Sequence, residues 1–168
     1  MYQFNLRNVP KGNKEYILNM KLEEEISQKS FKSDFHKATV NLIYTYNWLV
    51  NYQIELLKPY GVTLQQYNIL RILRGQYPTP TTIKLIKERM LDKMSDASRI
   101  VEKLRLKKLI DRKVCPNERR KVDVLITQRG LELLKEIDSH DDEVIAKIST
   151  LNEHEVKQLN KLLDKMRG

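Results

Sequence analysis

The chain has 168 residues, enough for one compact domain with a tail, and its 40% apolar and 32% charged residues are typical of a helix-rich globular protein. The formal net charge of +9 favours a polyanionic partner such as DNA, RNA or an anionic membrane surface. No apolar run approaches the roughly 18 residues of a membrane helix, and the N-terminal stretch lacks an apolar signal-peptide core. The single cysteine, Cys115, excludes an intrachain disulfide. We therefore expect a cytoplasmic protein without a membrane partner.

The first half of the chain predicts four helices after an N-terminal extension. Residues 1–33 lack a clean period and predict a partly flexible extension with one short helix near Leu22. A long helix is expected from Asp34, as its N-cap, to Lys58, because apolar residues recur there at three- and four-residue steps. The remaining three helices are predicted at about 63–74, with Thr63 as N-cap, at 81–90, and at 95–107 with Ser95 at its start.

Two strands and two helices are predicted after the fourth helix. The strands are Leu109–Val114 and Lys121–Ile126, and the charged loop CPNERR is expected to join them as a hairpin. Thr127 and Asn152 are placed as the N-caps of the last two helices. This order predicts a mainly α fold in which a helix-turn-helix is followed by a small β-hairpin wing.

Most of the positive charge lies in the fourth helix and the hairpin. Between Arg99 and Lys121 there are ten basic and three acidic residues, a net +7 of the chain's +9. A helix of this length fits the major groove of DNA with its first turn toward the base edges, and arginines on a wing fit a narrow minor groove. The predicted DNA-binding residues are Ser95, Asp96, Ser98, Arg99, Lys103, Arg112, Glu118, Arg119 and Arg120.

Each of these signals has a purely structural alternative. Ser95 or Asp96 suits the cap of a helix N-terminus, and a cap leaves the outward surface of the residue free. Glu118, Arg119 and Arg120 are also compatible with an exposed turn that holds a weak ion pair.

The stretch from Thr63 to Leu134 resembles the MarR family of bacterial multiple antibiotic resistance regulators. The similar segments are LQQYNILRILRG, SDASRIVEKLRLKKLIDR and CPNERRKVDVLITQRGLELL. The family's wing has an acidic residue, two arginines, an apolar pair and a Thr-x-x-Gly motif, which Glu118, Arg119, Arg120, Thr127 and Gly130 match in spacing. Two positions depart from the pattern: Glu118 replaces the usual Asp, and Lys108 replaces the glycine that usually ends the recognition helix.

The resemblance implies a winged helix-turn-helix protein that forms an obligate homodimer through its terminal helices. On this basis residues 63–126 are expected to bind DNA, and 34–62 with 127–168 to form the dimer. The apolar residues Val144, Ile145 and Ile148 and the apolar face of the last helix support this independently, although packing on their own chain is the alternative.

Other candidate sites carry weaker signals. The cluster of His140, Asp141, Asp142 and His154 has no compelling metal-ligand spacing, and Cys115 has no second cysteine in the chain to pair with. The aromatic residues Tyr44, Tyr46, Trp48, Tyr52 and Tyr67 are more typical of packing, although the resemblance leaves open a small aromatic effector. No cofactor or metal is expected.

The sequence therefore predicts a sequence-specific DNA-binding transcriptional regulator that acts as a homodimeric repressor on a pseudo-palindromic operator. Two alternatives remain open: a winged-helix binder of RNA or architectural DNA without strong sequence choice, and a basic protein-interaction module. No nucleophile–base set, phosphate-binding loop or paired carboxylates appear, so the chain is not expected to be an enzyme.

Overall fold

The computed structural model describes residues 21–115, 118–139 and 150–168. For residues 113–115 and 118–121 it describes the backbone only. Two compact units are present, one up to Val50 and one from Asn51. The helices are α1 (Leu22–Glu25), α2 (Asp34–Leu57), α3 (Leu64–Arg74), α4 (Ile83–Arg89), α5 (Ala97–Leu106), α6 (Gln128–Asp138) and α7 (Glu153–Arg167), with a 3₁₀ turn at Lys58–Tyr60. The strands are β1 (Thr81–Thr82), β2 (Ile110–Cys115) and β3 (Glu118–Ile126).

The first unit contains α1 and most of α2. Leu22 is buried, the Lys37 ammonium donates to Glu23 Oε1 at 2.5 Å, and the Tyr44 hydroxyl donates to Glu25 Oε2 at 2.7 Å. The predicted long helix is confirmed, but Asp34 is its first residue and not its cap. The Ser33 hydroxyl accepts from the amide of His36 at 3.2 Å and takes the capping role.

In the second unit, helices α3 to α6 enclose one hydrophobic core. Ile69, Leu70, Ile86, Val101 and Leu104 are fully buried, and residues of the strands and α6 complete the cluster. The capping prediction at Thr63 is confirmed, because its side chain and that of Gln66 form a reciprocal capping box. Thr127 and Asn152 also cap as predicted, each accepting from the amide three residues later.

The wing belongs to a three-stranded antiparallel sheet in the order β1-β3-β2. The predicted hairpin is present, with Ile110 opposite Ile126 and Arg112 opposite Val124. Strand β1 was not predicted; Thr81 pairs with Val124 and Thr82 with Asp123. This third strand anchors the base of the wing beside the start of α4, which is capped by Thr82.

Candidate nucleic-acid interface

Helix α5 begins later than predicted, because Asp96 and not Ser95 is its cap. Asp96 Oδ1 accepts from the amide of Arg99 at 3.1 Å. The Ser95 hydroxyl instead donates to Asp92 Oδ2 at 2.6 Å, and this bond is the main reason why the pKa of the Asp92 carboxyl is lowered. Ser95 and Asp96, both predicted to contact DNA, are thus bonded within the helix-turn-helix itself.

The two faces of α5 have opposite characters. Ala97, Val101 and Leu104 are buried in the core, as predicted from their spacing. The predicted DNA-contacting residues Ser98, Arg99 and Lys103 are exposed. The helix therefore presents a polar, positively charged face from its first turn onward, while its other face fixes it to the domain.

At the other end of α5, Lys108 adopts the left-handed backbone conformation that glycine usually provides. Its φ is 60°, the Lys108 amide donates to the carbonyl of Arg105, and the Leu109 amide donates to the carbonyl of Leu104. These two bonds form a Schellman motif, which satisfies carbonyls at the helix end. The replacement of glycine by Lys108 has therefore kept the turn geometry, at the cost of a conformation that L-residues disfavour.

The cation of Lys107 takes part in the packing of α5 against the start of α3. Its ammonium donates to the carbonyl of Gly61 at 2.5 Å and to Gln66 Oε1 at 2.8 Å. Gln66 is itself buried in the capping box of α3. Lys107 is thus a structural cation, although it belongs to the basic segment.

Glu102 connects the recognition helix with the wing. Its carboxylate accepts from the guanidinium of Arg105 at 2.7 Å and from that of Arg112, on β2, at 3.4 Å. The bond from Arg105, with a smaller contribution from Arg112, holds the pKa of the Glu102 carboxyl below its usual range. Glu102 therefore stays ionised at neutral pH and holds Arg112, a predicted DNA-binding residue, beside α5.

Glu118, Arg119 and Arg120 are the first three residues of β3, so their predicted place in the loop is wrong. Cys115 pairs with Glu118, with an irregular register after Val114, so the strands extend further than the alternation of apolar residues indicated. The side chains of this trio lie outside the described residues, and their contact with DNA stays a prediction.

The Thr-x-x-Gly motif at Thr127–Gly130 fastens α6 to the end of α5. The Thr127 hydroxyl donates to the carbonyl of Lys108 at 3.0 Å and accepts from the amide of Gly130 at 3.1 Å. A Cβ at Gly130 would lie 2.4 Å from the carbonyl oxygen of Leu109 and 2.7 Å from Ile126 Cγ1. The absence of a side chain at Gly130 therefore lets the first turn of α6 approach Leu109, just before β2, and Ile126, at the end of β3.

Two curated regulators are similar to this chain over most of their length. It is 30% identical over 115 residues to the HTH-type transcriptional regulator MgrA of Staphylococcus aureus, covering 68% of this chain and 76% of MgrA. It is 26% identical over 131 residues to the HTH-type transcriptional regulator MhqR of Bacillus subtilis, covering 77% of this chain and 89% of MhqR. No family model matches the sequence.

Solved structures agree with these relatives. The crystal structure of a MarR transcription factor from Planctomyces limnophilus has a TM-score of 0.62 and 27% identity, and the match covers 80% of this chain and 98% of that one. The chain belongs to the MarR family. The MepR–DNA complex of Staphylococcus aureus shares the fold, with a TM-score of 0.67 and 22% identity over 82% of this chain and 97% of that one.

Membership of the MarR family confirms the resemblance seen in the sequence, and it confirms the predicted winged helix-turn-helix fold. The chain is a DNA-binding transcriptional regulator. The family relatives are regulators rather than enzymes, which confirms that prediction as well.

Two of the aromatic residues considered for an effector, Tyr44 and Tyr67, have structural partners. The guanidinium of Arg71 donates to the Tyr67 hydroxyl at 3.3 Å and lies 5.7 Å from the ring centre. Burial, with the hydrogen bond to Glu25, raises the pKa of Tyr44 to about 12. These contacts indicate packing roles for both residues, and a small aromatic effector stays a prediction.

Of the remaining candidate sites, His140, Asp141 and Asp142 and the side chain of Cys115 lie outside the described residues. Among the residues described, no group of three or more His, Cys, Asp or Glu side chains is placed to hold a metal ion. In the same part of the chain, no helix is both long and apolar enough to cross a membrane.

Proposed function

We propose that the protein is a sequence-specific repressor that binds DNA through the exposed face of α5, with Arg99 in the major groove. The carrying observation is the arrangement of α5: Val101 and Leu104 are fully buried, whereas Ser98 and Arg99 project from the first turn. Because the first turn of a recognition helix faces the base edges, an arginine there is placed to bond guanine bidentately. Lys103 and Arg112 extend this face toward phosphates.

The wing supplies the second contact in this proposal. Arg119 and Arg120 begin β3 at the far end of the hairpin from its base at Ile110 and Ile126. Arginine at such a position suits the negative potential of a narrow minor groove, with Glu118 as a partner that orients it. Loss of Arg120 is therefore expected to weaken binding to all sequences evenly, whereas loss of Arg99 relaxes the preference at one base pair.

The function is tested by selecting bound DNA from a random duplex pool and then measuring the Arg99→Ala variant on the selected site. The substitution should cost about 1–3 kcal/mol of binding free energy per half-site. Lys135→Ala, which removes an exposed cation from α6, is the control for net charge and should bind nearly as the parent does. Recovery of no preferred sequence would favour an architectural or RNA-binding protein, and parental affinity of Arg99→Ala would refute α5 as the reading helix.

We also propose that the regulator is a homodimer. Phe35, Ile43 and Tyr46 of α2 are 89%, 56% and 62% exposed. In α7, Leu162 and Met166 are 55% and 61% exposed. On an ordinary monomer, exposed apolar side chains are scattered singly, whereas here several lie on each of the two helices. A two-fold partner would cover them. A two-fold dimer also explains why a pseudo-palindromic operator is expected.

Sedimentation tests the dimer directly, since the chain has a mass of 20.0 kDa and a dimer twice that mass. Leu162→Asp should shift the parent dimer toward monomer because it buries an unpaired charge at the interface. Leu106→Asp, at a 68% exposed leucine of α5, is the matched control and should remain dimeric. A monomeric parent at micromolar concentration would contradict the proposal.

A further inference from the structure

The turn between α4 and α5 exposes two apolar side chains next to the start of the recognition helix. Leu91 is 86% exposed and Met94 is 94% exposed, whereas Met90, at the end of α4, is only 1% exposed. Single exposed apolar residues are common on protein surfaces, but these two, here called the apolar turn pair, both lie within the five residues that precede the cap of α5.

Hydrogen bonds fix this turn in place. The Leu91 amide donates to Asn68 Oδ1 of α3 at 3.0 Å, and the Met94 amide donates to Asp92 Oδ1 at 3.0 Å. Asp92 also accepts from the Ser95 hydroxyl. The backbone that carries the apolar turn pair is therefore hydrogen-bonded both to α3 and to the residues that precede α5. The two side chains are exposed on a turn whose backbone is held by these bonds.

The polar side chains in the same place are already engaged. Ser95 is bonded to Asp92, and Asp96 is bonded to the amide of Arg99. Asp92, Lys93 and Asp96 are exposed as well, but each is held in a hydrogen bond within the turn or the cap. Ser98 and Arg99 on the helix are also exposed, and the apolar turn pair lies before them in the chain. An apolar side chain beside a DNA-reading helix is suited to contact an apolar group, and the major groove displays one in the C5-methyl of thymine.

We propose that Leu91 and Met94 contact thymine C5-methyl groups in the major groove and so select thymine at the edge of each half-site. This inference rests on the proposed function of α5 as the reading helix. The flexible thioether of Met94 can adapt to a methyl group whose position varies, while the branched Leu91 provides a stiffer contact. The contact adds sequence preference without a hydrogen bond, beside the bidentate contact proposed for Arg99.

The test removes only the methyl group. Each thymine of the selected operator is replaced in turn by deoxyuridine, and the affinity of the full-length protein is measured. At one or more positions the parent should lose about fourfold in affinity per half-site, the effect of exposing one methyl-sized group. In the double variant Leu91→Ala/Met94→Ala the thymine and uracil operators should bind equally, with the melting temperature unchanged because both side chains are exposed.

Leu106→Ala is the matched control, since it truncates an exposed leucine at the other end of α5 and should keep the parent's sensitivity to uracil. The inference is overturned if the parent does not distinguish thymine from uracil, if its selected operator contains no thymine, or if the double variant stays as sensitive as the parent. Equal loss by the double variant on both operators also overturns it, and points to a sugar, phosphate or protein contact.

These outcomes separate the inference from the proposed function. If Arg99→Ala weakens binding but uracil has no effect, α5 still reads DNA and only the role of the apolar turn pair fails. If the parent binds no duplex, both fail together.

Discussion

Gly130 lies where the first turn of α6 meets the backbone of Leu109, and this close approach leaves no room for a side chain. Gly130→Ala would place a Cβ 2.4 Å from a carbonyl oxygen, so the backbone must shift. We expect a loss of about 1–3 kcal/mol in the free energy of unfolding, measured by urea denaturation.

Gly75, the C-cap of α3, is the matched position for that substitution. Its φ is −66° and an added Cβ would meet its nearest neighbour at 3.5 Å, an ordinary contact. Gly75→Ala should therefore be neutral or raise stability by about 0.4–1 kcal/mol, because alanine restricts the unfolded chain. Equal effects at the two glycines would contradict the packing role of the Thr-x-x-Gly motif.

Lys108 offers a stabilising substitution for the opposite reason. Its φ of 60° is disfavoured for L-residues and free for glycine, while glycine costs some entropy in the unfolded chain. Lys108→Gly should raise the free energy of unfolding by about 0.5–1 kcal/mol, seen as a higher urea midpoint. Lys108→Ala removes the same charge without relieving the backbone, so a similar gain there would show that charge and not conformation is responsible.

The sequence alone identified the end of α5 as unusual because a lysine stands where the family has glycine. It did not establish that the left-handed turn is retained. Besides the two local Schellman bonds, the turn has a contact from the Thr127 hydroxyl to the Lys108 carbonyl, which joins residues 19 apart in the chain. Such a contact leaves no local pattern by which it could be predicted.

At the scale of secondary-structure elements, the ion pairs of Glu102 couple α5 to the wing and limit the free positive charge there. Glu102→Gln would release Arg105 and Arg112 and raise the local net charge by one. We expect tighter binding of duplex DNA at low salt and a steeper salt dependence, by about one unit of slope for each additional phosphate contact per subunit. Binding titrations at several salt concentrations measure both effects.

Glu132→Gln is the control for that experiment, since it removes an exposed carboxylate of α6 that accepts from Gln128. It should change the affinity less and leave the slope nearly unaltered. If Glu102→Gln weakens DNA binding instead, the carboxylate is needed to position Arg112, and release of the arginine is harmful.

The elements that could be predicted are those with local signals. The capping residues Thr63, Thr127 and Asn152 and the three- and four-residue spacing of the core leucines lie within the helices they define. Strand β1 escaped prediction because it has two residues and exists through pairing with Val124, more than forty residues later. The extension of β3 to Glu118 was not predicted for a different reason, since its charged residues lack the apolar alternation of a buried strand.

The candidate site was predictable as a segment but not in its internal bonding. The net charge located α5 and the wing, and Ser98, Arg99 and Lys103 are exposed there as expected. Charge counting could not reveal that Lys107 is bound to Gly61 and Gln66, or that Ser95 is bound to Asp92. The partners of Lys107 are more than forty residues away in the chain, so only the folded domain brings them within reach. The partner of Ser95 is near in sequence, but the bond depends on the conformation of the turn.

At the scale of the whole molecule, the concentration of charge determines how binding should respond to salt. Each phosphate neutralised by a lysine or arginine releases condensed counterions, so the affinity falls with salt in proportion to the number of contacts. With about eight phosphate contacts per dimer, the affinity should fall by roughly 10³–10⁵ between 50 and 200 mM salt. Arg120→Ala should reduce the slope by about one per subunit, whereas Lys135→Ala should not change it. A flat salt response of the parent would contradict a DNA interface built on α5 and the wing, and would favour an uncharged or protein partner.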